Sequence, residues 1–204
     1  MLVDKPLREV LDAVASAAPT PGGGSAAAVA AALGASLLAM VASLPKTRPR
    51  SADDRSALDR AAGALTRIRG QLAEAIDADA DAYDQVVAAS RQSRAAGTDP
   101  AEREAAVQRA LRAATEVPLA VMRLSVDAAI EGQAVAERGH RAAASDIGVA
   151  LALLQAGLEG ARLNVRVNLA DLTDRQYVDA VTSEAARLAD QMEARVLDAT
   201  ASIA

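Results

Sequence analysis

Bulk is what this sequence lacks. Its 204 residues include no Phe, no Trp and two Tyr, while alanine fills about a quarter of the positions. Alanine is the strongest helix former and has almost no side chain to hold neighbouring elements apart. Such a chain must build its core from helices that approach closely. An all-β sandwich, which needs β-branched and aromatic faces, does not fit. An apolar fraction of 51% against 24% charged supports a folded core and is unlike a disordered tail. At this length the sequence reads as a single domain over residues 1–204.

Several function classes drop out on composition. The chain has no Cys and one His, which excludes a disulfide scaffold, a thiolate metal site, a Cys nucleophile and a multi-His metal centre. No metal and no cofactor is expected. A formal charge of −5 with a pI near 5.0 argues against a nucleic-acid binder. From Ser25 to Leu44 no residue is charged, and Lys46, Arg48 and Arg50 follow, as they would at the end of a membrane span. That segment is mostly Ala, with Gly34, Ser36 and Ser43 among few large apolar residues. A buried central helix fits it better than a span, so no membrane partner is expected. No basic, apolar and cleavage-site sequence follows Met1, and a cytoplasmic location is expected.

Helix signals run end to end. Asp4 can cap a first helix with Pro6 in its first turn and Leu7, Val10, Leu11 and Val14 as its apolar stripe. Pro19 and Pro21 end it, Gly22-Gly23-Gly24-Ser25 leads into the uncharged helix, and Pro45 and Pro49 close that one. Ser51, Asp53 and Asp54 start a third helix reaching to about Arg94. Asp99 caps a fourth, with Pro100 in its first position and Pro118 predicted to kink it near Thr115. A fifth is expected from Ala142 to Leu169, and Thr173 with Gln176 reads as a capping box for the last. The expectation is all-α: an elongated bundle of about six helices whose small-residue faces also meet a partner chain in a dimer.

Three places could carry chemistry. At 100° per residue, Leu65, Ile68, Leu72, Ile76, Tyr83 and Val86 share one face of the third helix, and Asp79 falls among them. Asp77, Asp81 and Asp84 cluster on the opposite side, as a solvated face does. A carboxylate on an apolar face needs a partner or a purpose; Asp79 is either paired structurally or a general acid–base. Tyr83 lies one turn along the same face. The second place is Pro19-Thr20-Pro21-Gly22-Gly23-Gly24-Ser25, whose backbone N–H groups could face an anion at a helix start. It is neither a Walker loop nor a dinucleotide fingerprint, and a tight turn between two helices explains it equally well. The third is a stripe on the fifth helix: Asp146, Ala150, Gly157, Ala161, Asn164 and Asn168. Asn164 and Asn168 could bond across a helix interface or hold a ligand. Asp146 is about 27 Å from Asn164 along the axis, too far for one small site within one chain. His140, between Gly139 and Arg141, reads as a surface or loop-anchoring residue.

Together these pieces resemble one family. Pro19-Thr20-Pro21-Gly22-Gly23-Gly24-Ser25-Ala26-Ala27-Ala28, Leu33-Gly34-Ala35, Met40-Val41 and Ile76-Asp77-Ala78-Asp79-Ala80-Asp81-Ala82-Tyr83 look like the cyclodeaminase/cyclohydrolase family. So do Pro118, Ser145-Asp146, Gly160-Ala161 and Asn164-Val165-Arg166-Val167-Asn168-Leu169, all in the same order over nearly the whole chain. The resemblance implies an all-helical homodimer acting on a tetrahydrofolate one-carbon substrate. Methenyltetrahydrofolate cyclohydrolase is the leading activity; formiminotetrahydrofolate cyclodeaminase and a non-catalytic helical dimer are the alternatives. It places the catalytic carboxylate within Asp77 to Tyr83; the helical face selects Asp79, with Asp77 second. The substrate-binding candidates are Pro21, Gly22, Gly23, Gly24, Ser25, Lys46, Tyr83, Asp146, Asn164 and Asn168. Two stretches depart from the family pattern: Gln92-Ser93-Arg94 stands where many members have Leu-Pro-Lys, and His140 replaces a common Asn. A Leu44-Pro45-Lys46 occurs earlier, at the end of the second helix, where members often place a Lys.

Overall fold

The computed structural model of the chain describes residues 1–45, 51–92 and 99–203. These form six helices: α1 (Leu7–Val14), α2 (Gly23–Ala42), α3 (Ala52–Gln92), α4 (Pro100–Arg138), α5 (Ala144–Ala170) and α6 (Arg175–Ile203). A single 3₁₀ turn, Arg141–Ala143, precedes α5, and no strand occurs among the described residues. At 1.5 Å per residue, the 41 residues of α3 and the 39 of α4 each run about 60 Å.

Several ends form as the sequence dictates. Ser51 Oγ accepts from Asp54 N at 3.1 Å to open α3, and Asp99 Oδ1 accepts from Ala101 N at 3.1 Å to open α4 ahead of Pro100. His140 Nδ1 accepts from Ala142 N at 3.2 Å, so the lone histidine anchors its own connector. Two expected caps are not made. Asp4 faces the N-terminal ammonium at 4.0 Å, and α1 begins after Pro6 with no side-chain cap. At α6 the cap is Asp174, whose Oδ1 accepts from Tyr177 N at 3.1 Å. Thr173 lies one residue too early and is taken up by Gln108, whose Oε1 accepts from Thr173 N at 2.9 Å and from its Oγ1 at 3.2 Å.

The core is built on α2, which packs against α3, α4 and α5. Its alanines 27, 28, 31 and 35 are buried, and α5 closes over them. A methyl on Gly157 would lie 2.8 Å from Ala31 Cβ and 2.9 Å from Ala27 O, so only a residue without a side chain allows this crossing. The Gly157 and Ala161 stripe is buried, as the small-residue pattern predicts. Its partner is α2 of the same chain, and Ala161 is 1% exposed there. Close backbone approach replaces the bulk that the composition lacks. By length and composition α2 and the 141–170 segment could each cross a membrane; half of the apolar window of α2 and 39% of the other are buried in this bundle.

Helix α1 is the exception. It buries no residue, and its apolar stripe is left outward with Leu7 68% and Leu11 61% exposed. On the far side, α6 is joined to α4 by polar contacts. Arg123 forks onto Glu184 at 2.7 and 2.9 Å, and Tyr177 donates to Glu116 Oε1 at 2.7 Å beneath the Arg112 guanidinium. Partial burial, together with Glu116, pushes the Tyr177 phenol well above its ordinary range, and the Arg123 fork holds Glu184 low. These contacts are largely exposed and contribute modestly.

Candidate active site

At its N-terminus, α2 has no cap of its own. Gly22 occupies the cap position, and glycine has no side chain with which to accept from the first-turn N–H groups. The acceptor comes from α3. Asp79 Oδ2 accepts from Ser25 N at 2.8 Å and from Ser25 Oγ at 3.0 Å, and Ser25 Oγ also reaches Ile76 O at 3.0 Å. Ser25 is completely buried beneath this knot. The carboxylate found among apolar neighbours on the helical wheel is therefore a cap delivered across 54 residues of chain. A negative charge there also complements the positive end of the α2 dipole.

That arrangement uses one oxygen of Asp79. The other, Oδ1, occupies the space that a Gly24 methyl would need. Gly24 is thus the glycine that matters sterically, because any side chain there would evict the carboxylate. Gly23, which the sequence treats as its equal, would place a methyl 3.6 Å from Asn164 Nδ2, an ordinary contact. None of the three glycines adopts the left-handed conformation, so close approach is what they provide. No described acceptor takes the N–H of Gly23 or Gly24.

Asp79 opens on a cleft of ≈ 360 Å³. The glycine turn and Thr20 form one wall, Tyr83 and Val86 of α3 another, and Asn164, Val167, Asn168 and Asp171 a third. Among the described residues, Asp79 and Asp171 are its charged lining side chains, and none that lines it is basic.

The two asparagines have well-defined partners. Asn164 Nδ2 donates to Gly160 O, one turn back on α5, at 2.8 Å. Asn168 Nδ2 donates across to Ala114 O on α4 at 2.9 Å. Ala114 is four residues before Pro118, which has no N–H, so its carbonyl lacks the usual intrahelical donor. Asn168 supplies that donor, and α4 runs through Pro118 as one helix.

The structure thus brings Gly22, Gly23, Gly24, Asp79, Tyr83, Asn164 and Asn168 to one cleft, with Ser25 directly beneath. Asp77 is elsewhere. Its carboxylate accepts from Leu2 N and, at 3.4 Å, from Val3 N, tying the N-terminal segment to α3. As a catalytic candidate Asp77 is displaced by this geometry, since the α3 face that carries Asp79 to the cleft turns Asp77 away. Pro21 and Asp146 do not line the cleft, and Asp146 lies in the first turn of α5 at the other end of that helix. Lys46 and the Ser93-Arg94 pair lie outside the described residues, as does the side chain of Gln92. Asp171 was missed in the sequence. It follows Asn164 and Asn168 at the next i, i+3 position and could have been read by continuing the stripe.

The geometry agrees with what the chain resembles. A family model described as formiminotransferase-cyclodeaminase matches residues 6–187. The chain belongs to the formiminotransferase-cyclodeaminase family. Within that family, it is 37% identical over 183 residues to the methenyltetrahydrofolate cyclohydrolase of Methylorubrum extorquens, covering 88% of this chain and 86% of that protein. It is 34% identical over 205 residues to the formimidoyltransferase-cyclodeaminase of Sus scrofa, covering 95% of this chain but 38% of that longer protein. The crystal structure of formiminotetrahydrofolate cyclodeaminase from Thermotoga maritima superposes with a TM-score of 0.90 at 27% identity, over 100% of this chain and 98% of that one. The chain therefore shares its fold with a structure of the cyclodeaminase name and its sequence with relatives of both names.

Proposed function

We propose that this chain is a methenyltetrahydrofolate cyclohydrolase, converting 5,10-methenyltetrahydrofolate and water to 10-formyltetrahydrofolate. The observation that carries the reading is the Asp79 carboxylate, pinned through Oδ2 and with no described donor on Oδ1, in the lining of a cleft that has no basic residue among the described ones. The likeness to a stand-alone cyclohydrolase over 86% of that protein's length supports it.

The chemistry follows from the substrate's charge. The methenyl carbon lies between N5 and N10 in an amidinium-like cation, and a carboxylate wall favours that cation. Asp79 Oδ1 takes a proton from water as its oxygen bonds to the methenyl carbon, giving a tetrahedral carbon that carries a hydroxyl. The C–N5 bond then breaks while N5 receives the proton from Asp79. Loss of the hydroxyl proton to solvent leaves the formyl group on N10. One proton is released overall, and no electron is transferred. The free N–H groups of Gly23 and Gly24 at the wall are donors available to oxygen on that carbon.

The superposition on a cyclodeaminase favours a second reading. There N10 attacks the carbon of a 5-formimino group, and ammonia leaves the same kind of tetrahedral centre. Turnover of both substrates by the purified protein separates the two. The first reading predicts accelerated loss of the methenyl near-ultraviolet absorbance. Ammonia release from the formimino substrate with no effect on the methenyl one would replace it with the second.

The same reading takes the chain to be a homodimer. Its support is the outward apolar residues Leu7 and Leu11 on α1 and Leu33 and Met40 on α2, a surface that a second copy could cover. Sedimentation should give a dimer at micromolar concentration, and a monomer would contradict it.

A further inference from the structure

Asn164 and Asn168 are fixed in orientation by their partners. Each Nδ2 points at a backbone carbonyl, Gly160 O at 2.8 Å and Ala114 O at 2.9 Å. A carbonyl oxygen can only accept, so neither amide can be reversed without facing oxygen on oxygen. Both side chains are half-buried, both line the cleft, and no described group donates to either Oδ1. With Asp79 and Asp171 they therefore bring a set of acceptors to the cleft. Asn164 and Asn168 are four positions apart, so an axial rise of about 6 Å along α5 separates them. The two acceptors of a single amino group, each about 2.9 Å from its nitrogen and splayed by about 120°, lie about 5 Å apart. The spacing suits one –NH₂ group held between two oxygens.

We infer that Asn164 and Asn168 form the specificity subsite for the pterin ring, their two Oδ1 atoms accepting the two hydrogens of its 2-amino group. This rests on the folate reading above and goes beyond it by assigning which edge of the substrate is read and by which atoms. The placement is consistent with the chemistry. A methyl on Gly24 would overlap Asp79 Oδ1, while one on the adjacent Gly23 would touch Asn164 Nδ2, so carboxylate and amide flank the same two residues. The N5–N10 bridge then lies at Asp79, and the 2-amino end extends along α5 past Asn164 to Asn168. Lone acceptors left facing a ring that lacks that amino group lose their partners, which is how a polar subsite discriminates.

The test uses equilibrium binding of 5-formyltetrahydrofolate and its 2-deamino analogue, with turnover of 5,10-methenyltetrahydrofolate measured in parallel. Wild type should bind the parent about 10-fold more tightly than the analogue. Asn164→Ala should cut that preference to about 3-fold, because Asn168 Oδ1 still accepts. Asn164→Gln, which keeps both an amide donor and an amide acceptor, should retain more of it. Asn164 is the residue to change because its donor bond stays within α5, whereas Asn168 also satisfies α4. Equal binding of the two ligands by wild type, a preference undiminished in Asn164→Ala, or one lost equally in Asn164→Gln would each overturn the inference. Binding with the expected preference but without methenyl turnover would sustain the subsite and overturn the proposed activity instead.

Discussion

Asp77 and Asp79 are two residues apart on one helix and do opposite things. Asp77 faces the N-terminal segment and accepts from the backbone of Leu2 and Val3, a local fastening at the edge of the bundle. Asp79 reaches the first turn of α2, accepts twice from Ser25 and still has an oxygen at the cleft. A rotation of about 200° along an α-helix separates them. An acidic run therefore cannot be judged by its composition, because each carboxylate takes its role from the element its face meets. Structural and chemical readings of Asp79 need not compete. The cap takes up one oxygen and leaves the other without a described donor, and that is the oxygen the proposed reaction uses.

The contrast can be broken from its strong side first. Asp79→Ala removes both functions, so methenyl turnover should fall by about 10²–10⁴-fold and stability by about 1 kcal/mol for the lost cap. Activity assays and chemical denaturation of one preparation check both. Gly24→Ala tests the same pair without altering a charge. Its methyl claims the place of Asp79 Oδ1, so turnover should fall at least 10-fold even in folded protein, with about 1–3 kcal/mol of destabilisation. Retention of full activity would mean that the carboxylate does not need its position.

Asn168→Ala sharpens the comparison from outside α3. It leaves Ala114 O on α4 without the donor that Pro118 cannot supply, and about 1–3 kcal/mol of stability should be lost. The companion Pro118→Ala in the same background restores an N–H at position 118 and should recover part of that loss. The smallest effect is expected from Asp77→Asn. It should leave turnover within about 2-fold and raise amide exchange at Leu2 and Val3, since only those two N–H groups depend on it.

Much of this was legible before any coordinates. The breakers and caps around Ser51, Asp99 and Pro100 are local signals, and the helices they bound lie within a few residues of expectation. The place of Asp79 on an apolar face was also legible, because helical periodicity fixes faces. Its partner was not, since Ser25 is 54 residues away and nothing local announces a cap supplied by another helix. For the same reason Asn168 could be read as bonding across a helix interface, but not as answering Pro118 on α4. The small-residue stripe was legible as a buried face, but not which helix buries it: α2 carries a matching alanine face and takes up Gly157 within the chain. Thr173 and Asp174 both have capping chemistry, and a one-residue shift in the start of α6 decided between them.

The most direct measurement of the central claim is the rate of 5,10-methenyltetrahydrofolate hydrolysis by Asp79→Asn, read beside its melting temperature. The asparagine amide can still accept from Ser25 N through its oxygen, so the cap survives while the titrating carboxylate is gone. The account predicts a rate lowered by about 10²–10⁴-fold in a protein that melts within a few degrees of wild type. A variant that hydrolyses the substrate at the wild-type rate would contradict it, and would leave Asp79 as the cap of α2 and nothing more.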